Sequence, residues 1–133
     1  MESSTANDRL TASSEDYLEA IYELSTTSGG AVRSVDLAAK LGVSKASVNK
    51  AITNLKQAGL AEQPYYGDIT LTTEGVAYGE GVLERHQVIY KFLVGVLGVK
   101  PQVAAEEACL MEHAISDDTL KRWTTHLRKQ MEQ

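Results

Sequence analysis

The 133 residues carry 18 acidic and 13 basic side chains, a formal charge of −5 at pH 7, and 43% of them are hydrophobic. One cysteine rules out an intramolecular disulfide framework, and a charged fraction of 23% with frequent aliphatics argues against disorder; no apolar run approaches the roughly 18 residues of a membrane span. A chain of this length forms one compact domain or two very small ones, burying about two-thirds of its unfolded surface, and an N-terminus without a basic-then-apolar pattern predicts a soluble, cytoplasmic protein.

Residues 1–12 are polar and expected to fray. Ser13 or Ser14 then caps a first helix with Glu15 and Asp16 in its first turn and Tyr17, Leu18, Ile21, Tyr22 and Leu24 at helical spacing. The turn-rich run from Ser25 to Gly30 ends it. A short helix follows from about Ser34 to Leu41, its apolar stripe Val35, Leu37, Ala38 and Leu41. Gly42 permits a tight turn and Ser44 caps a third helix from about Lys45 to Gln57, with Val48, Ile52 and Leu55 inward and Gly59 closing it. Two short β runs around Tyr66, Gly67 and Asp68 predict a hairpin. Thr72 or Thr73 caps a long helix to about Leu97, stopped by Gly98; Pro101 starts another, through about Ala114, and Ser116 caps a last one from Asp117. Gly75, Gly79 and Gly81 in the long helix mark places of close packing, and Val88, Phe92, Val96, Leu110 and Trp123 are expected in the core or a dimer interface.

The fold class expected is therefore mainly α: a winged helix-turn-helix over residues 1–73, followed by a helical domain over 74–133. Charge divides along the same line. From Ala31 to Leu60 there are five cations, Arg33, Lys40, Lys45, Lys50 and Lys56, against Asp36 alone; this segment is +4, which leaves −9 for the remainder. A polyanion responds to local potential and not to net charge. On charge alone, however, cations that merely solvate helix faces are the plainer reading. The polar face of the third helix adds residues that can approach base edges and phosphates: Lys45, Ala46, Ser47, Asn49, Lys50 and Thr53, beside the capping Ser44. Arg33 and the wing residues Tyr65 and Tyr66 fall where backbone contacts are expected. Double-stranded DNA is the expected partner, with a protein-contact hairpin as the alternative.

A second constellation carries metal-ligand chemistry. Cys109, Glu112 and His113 stand at i, i+3 and i+4 and could converge on one ion; taken alone, such a triplet is more often a half-exposed helix face with a buried cysteine. Asp16 and Glu19 offer two carboxylates one turn apart, which also suit a solvated first turn. His86 lies mid-way along the long helix, where a lone histidine is more often a surface or core group.

Taken together, SSEDYLEAIYEL, RSVDLAAKLGVSKASVNKAITNLKQAGL, YGDITLTTEG, ERHQVIYKFL and EEACLMEHAIS resemble the diphtheria toxin repressor family of metal-dependent transcription regulators, over about residues 13 to 123. The resemblance implies a homodimer whose winged helix binds an operator and whose helical domain dimerises and binds divalent metal. By position it places the principal metal site on Asp16, Glu19, Cys109, Glu112 and His113, and His86 in a neighbouring site. Cys109 matches the iron-responsive branch, whereas Asp16 and Glu19 match the manganese-responsive one. Two further ligands of the iron-responsive branch fall on Tyr90 and Ala105, which cannot replace them; Glu106 or Glu107 could serve a rearranged second site. The SH3-like domain of longer members is not expected here.

One thiolate among oxygen and nitrogen ligands favours Fe2+, with Mn2+ as the alternative because of the carboxylates and other divalent transition metals as substitutes. The function expected is a metal-dependent repressor of metal uptake and homeostasis genes. Two other classes compete: a winged-helix regulator sensing an organic effector, and a metalloenzyme, against which stands the lack of any nucleophile motif or substrate-binding element.

Overall fold

The computed structural model describes residues 10–64 and 67–131. The chain divides into two compact units, Met1–Glu80 and Gly81–Gln133.

In the N-terminal unit, helix α1 spans Ala12–Ser28, α2 Ser34–Leu41 and α3 Lys45–Gln57. Helix α1 is longer than expected at both ends. Its cap is Thr11, whose Oγ1 accepts the Ser14 N–H at 3.2 Å, so Ser13 and Ser14 lie inside the first turn. At the other end the hydroxyls of Ser25, Thr26 and Thr27 donate to the carbonyls of Tyr22, Glu23 and Leu24. This back-bonding keeps a polar, turn-like sequence helical until Gly29, at φ +80°, ends it. Leu10 is not frayed: it packs on the core, and its N–H donates to the Tyr78 hydroxyl at 2.9 Å.

Helices α2 and α3 follow the predicted bounds. Gly42 takes φ +66°, which lets the chain reverse within a few residues, and Ser44 accepts the Ser47 N–H at 3.1 Å. Leu18, Ile21, Leu37, Val48, Ile52, Leu55 and Ile69 form the core; each contributes roughly 1.5 to 3 kcal/mol through burial. Val35 does not join this stripe and is 53% exposed. The wing is an antiparallel pair, β1 (Ala61–Glu62) and β2 (Thr70–Leu71), with Ala61 opposite Leu71. A bridge between Val32 and Ile69, absent from the sequence reading, extends it. The hairpin tip at Tyr65 and Tyr66 lies outside the described residues.

Helix α4, Thr73–Gly95, is capped by Thr72, whose Oγ1 accepts the Gly75 N–H and donates to the Gly59 carbonyl. Two of its three early glycines are close-packing positions. A Cβ on Gly75 would lie 2.0 Å from the Leu60 carbonyl oxygen, and one on Gly79 3.0 Å from Tyr22 Cβ. The same expectation fails at Gly81, where a Cβ would meet nothing within 4 Å. Between these glycines Tyr78 donates its hydroxyl to Glu15 Oε2 at 2.6 Å, and Glu15 is 1% exposed. Tyr78→Phe removes a donor from a buried carboxylate and an acceptor from the Leu10 N–H, so it should lower stability by about 1 to 3 kcal/mol in urea unfolding. A loss under about 0.5 kcal/mol would show that this network is idle.

In the C-terminal unit, α5 spans Pro101–Met111 and α6 Asp117–Met131. Ile89 and Leu93 pack with Ala104 and Ala108, whose small side chains let α5 approach closely. Val88, Leu120 and Leu127 form a second cluster, with Phe92 edge-on to Trp123 at 5.1 Å between centroids. Val96 and Leu110, expected inside or at an interface, are 44% and 76% exposed in the single chain. Helix α5 stops three residues short of Ala114: Glu112 is its C-cap, and a turn bonds the Ala114 N–H to the Met111 carbonyl. Ser116 caps α6, accepting the Thr119 N–H at 3.1 Å.

Candidate metal centre and DNA-facing helix

Helix α4 contributes His86, and the C-terminal end of α5 contributes Cys109 and the cap residue Glu112. His86 Nδ1 lies 2.8 Å from Glu112 Oε1 and 3.7 Å from Cys109 Sγ. One ligand atom from each of the three falls within 4.8 Å of the others. Among the described residues this is the one such group of three. His113 adjoins it, with Nε2 4.0 Å from Glu112 Oε2. Its ring follows from the cap: Glu112 keeps right-handed helical angles, so the i, i+3, i+4 alignment survives the end of the helix.

Glu112 is fully buried, and an ionised carboxylate in that position requires compensating partners. His86 contacts its side chain, and Arg85, 5% exposed, donates from Nε to its main-chain carbonyl at 2.9 Å. Arg85 escaped the sequence reading although a signal was present. It stands between Val82 and Ile89 on the apolar face of α4, where a cation is out of place unless it has work in the interior.

Thiolate, imidazole and carboxylate converging from two helices form a donor set suited to a borderline divalent transition ion, so these residues fit a metal of that class. His86 stands with Cys109 and Glu112 themselves and not apart from them. Asp16 and Glu19 lie in the N-terminal unit, exposed and half-buried on α1, whose inner face carries Glu15 into the core. Glu106 and Glu107 are exposed and do not join the group.

On the N-terminal unit Arg33, Lys45, Ala46, Ser47, Asn49 and Lys50 are all exposed, because Val48, Ala51, Ile52 and Leu55 turn the opposite face of α3 inward. Ser44 is engaged in capping, accepting from the Ser47 N–H and donating to Ser47 Oγ. Tyr66 lies outside the described residues. Between the helices and the wing runs a groove of about 670 Å³ lined by Arg33, Lys45, Asn49, Lys56, Gln63 and Asp68, among others. Lys56 and Gln63 were not singled out from sequence. They reach the groove because the wing folds back beside α3.

Comparison with known proteins places this arrangement. The family described as "Iron dependent repressor, N-terminal DNA binding domain" matches residues 9–68, and "Iron dependent repressor, metal binding and dimerisation domain" matches residues 72–132. An HTH-type transcriptional regulator of Methanocaldococcus jannaschii is 36% identical over 90% of this chain and 96% of its own length. The chain belongs to the iron-dependent repressor family. The resemblance read in the sequence is thereby borne out, and the protein is a metal-dependent transcriptional regulator and not an enzyme.

Within the family, the transcriptional regulator MntR of Escherichia coli is 40% identical over 86% of this chain and 73% of its own. The manganese regulator SloR superposes with a TM-score of 0.77 at 29% identity, and the IdeR of T. acidophilum with 0.72 at 28%. These superpositions cover 86% and 85% of this chain, which spans about half, 53%, of each of those solved chains. No helix among the described residues is long and apolar enough to cross a membrane.

Proposed function

We propose that this iron-dependent repressor family member binds operator DNA as a homodimer when a divalent metal occupies the His86, Cys109 and Glu112 group, and so represses metal uptake and homeostasis genes in the cytoplasm. His113, Asp16 and Glu19 complete the proposed ligand set. The observation that carries the reading is the convergence of three donor types within 4.8 Å. When bound, the ion supplies a positive centre that accepts thiolate, imidazole and carboxylate donors and offsets local acidity. The chain does the rest. Helix α1 packs through Leu18 and Ile21 onto Leu37, Val48, Ile52 and Leu55, so a constraint on Asp16 and Glu19 reaches the recognition helix α3 through that core. Two such helices in a dimer, set about 34 Å apart, would meet successive major grooves.

On the DNA side Asn49 is proposed to read base edges from α3, while Arg33, Lys45, Lys50 and Lys56 contact phosphates. Asn49→Ala should weaken operator binding by about 1 to 3 kcal/mol and relax sequence preference, and Lys50→Ala should lower the salt dependence of binding by about one ion. Salt titrations of both variants on a duplex selected from random sequence check this. Equal loss on every sequence for Asn49→Ala would assign it to the backbone instead.

For the metal, the thiolate of Cys109 favours Fe2+. A second reading, Mn2+, is supported by the carboxylates and by relatives such as SloR, described as a manganese regulator. Most ligand sets hold Fe2+ more tightly than Mn2+, so raw affinity does not discriminate. The informative quantity is the Fe2+/Mn2+ ratio of half-saturating concentrations in anaerobic DNA binding, compared with Cys109→Ser. The iron reading expects the preference to collapse in the variant; an unchanged ratio leaves manganese.

A further inference from the structure

Arg85 is a guanidinium held inside the C-terminal unit, 5% exposed, on the face of α4 that carries the fully buried Val82 and Ile89. Burial of that group is tolerable where its donors find acceptors. Nε donates to the Glu112 carbonyl at 2.9 Å, and Nη1 lies 3.7 Å from Asp117 Oδ1. These contacts fall at the two ends of the turn that joins α5 to α6 and contains His113. The Glu112 carbonyl also belongs to the negative end of the α5 dipole, where a cation is favourable. The next residue of α4, His86, meets the side chain of the same Glu112 at 2.8 Å. Consecutive residues of one helix therefore hold the main chain and the side chain of one glutamate.

We propose that Arg85 is a positioning residue of the proposed metal centre: by fixing the Glu112 carbonyl, it holds the Glu112 carboxylate against His86 and Cys109 and so sets metal affinity. The inference rests on the metal-centre reading above. Nε is a donor on a rigid plane, which lysine does not reproduce. Asp117 contributes little, since its side chain is 71% exposed and 3.7 Å away.

Cobalt(II) titration of the full chain, followed by thiolate-to-cobalt charge-transfer absorption, tests this. Arg85→Met should weaken Co2+ binding by roughly 10- to 100-fold, with Arg85→Lys intermediate and Asp117→Asn within about fivefold of wild type. A merely structural role would lower the melting temperature of the metal-free protein without moving the Co2+ midpoint of the folded form or its spectrum. Folded Arg85→Met with a wild-type midpoint and spectrum overturns the proposal. If that variant does not fold, Arg85→Lys and Arg85→Gln are judged by the same criterion. Cys109→Ser separates the two levels. Loss of the band in Cys109→Ser alongside wild-type titration of the Arg85 variants refutes Arg85 alone; a band that persists in Cys109→Ser, or never forms in the wild type, refutes the metal-centre reading and this inference with it.

Discussion

Glu112→Gln should abolish the metal dependence of DNA binding, with metal affinity falling by at least about 100-fold. Glu112 is the residue on which the proposed centre converges: its Oε1 meets His86 at 2.8 Å, its Oε2 lies 4.0 Å from His113, and its carbonyl accepts from Arg85. Glutamine keeps the volume and an acceptor for His86 but removes the charge that a dication requires. Alanine would add a cavity at a fully buried position, confusing loss of metal with loss of fold. The check is duplex binding with and without Mn2+ or anaerobic Fe2+, beside the thermal unfolding of the metal-free variant. A Glu112→Gln protein that still binds DNA at the wild-type metal midpoint would place the regulatory ion elsewhere.

The second large effect concerns the fold. Gly75→Ala should destabilise the N-terminal unit by roughly 3 kcal/mol or more, although alanine is the better helix former by about 1 kcal/mol. The added Cβ would stand 2.0 Å from the Leu60 carbonyl oxygen and 3.0 Å from its carbon. Leu60 cannot move aside, because its N–H is bonded to the Leu55 carbonyl and its own carbonyl accepts from Thr72 at 3.1 Å. Gly81→Ala, on the same helix and with nothing within 4 Å of the new carbon, should instead raise stability by about 0.5 to 1 kcal/mol. Opposite signs in urea unfolding are the expected result. Equal effects at both positions would mean that helix propensity and not packing governs the start of α4.

This pair of glycines shows where the sequence was legible and where it was not. Helix order, the Gly42 turn, the Ser44 cap, Pro101 at the start of α5 and the Ser116 cap were readable because each depends on local backbone chemistry. The cap of α1 differs from the expected Ser13 or Ser14 because Thr11, Ser13 and Ser14 all offer a capping hydroxyl within four residues, and the choice of Thr11 goes with Leu10, which packs on the core and bonds to Tyr78 far along the chain. The end of α1 was misread because the hydroxyls of Ser25, Thr26 and Thr27 served the helix instead of a turn. Val35 fits a helical stripe but faces outward, since a helix of eight residues buries little beyond Leu37.

For the site, the residue types were evident but their grouping was not. Cys109, Glu112 and His113 were found by spacing along one helix. That His86 joins Cys109 and Glu112 depends on α4 and α5 packing through Ala104 and Ala108, which spacing cannot report. Lys56 and Gln63 needed the wing to fold beside α3 before they faced the groove between them.

On the proposed function, metal and DNA bind this chain with shared free energy. Linkage makes that coupling reciprocal, commonly about 1 to 3 kcal/mol. The direct measurement is the Mn2+ affinity of the full chain, free and saturated with a duplex selected in the presence of Mn2+. Reciprocal coupling requires an affinity about 5- to 150-fold higher in the presence of the duplex, and the same factor for DNA affinity on adding Mn2+. An Mn2+ affinity that the duplex leaves unchanged would contradict it.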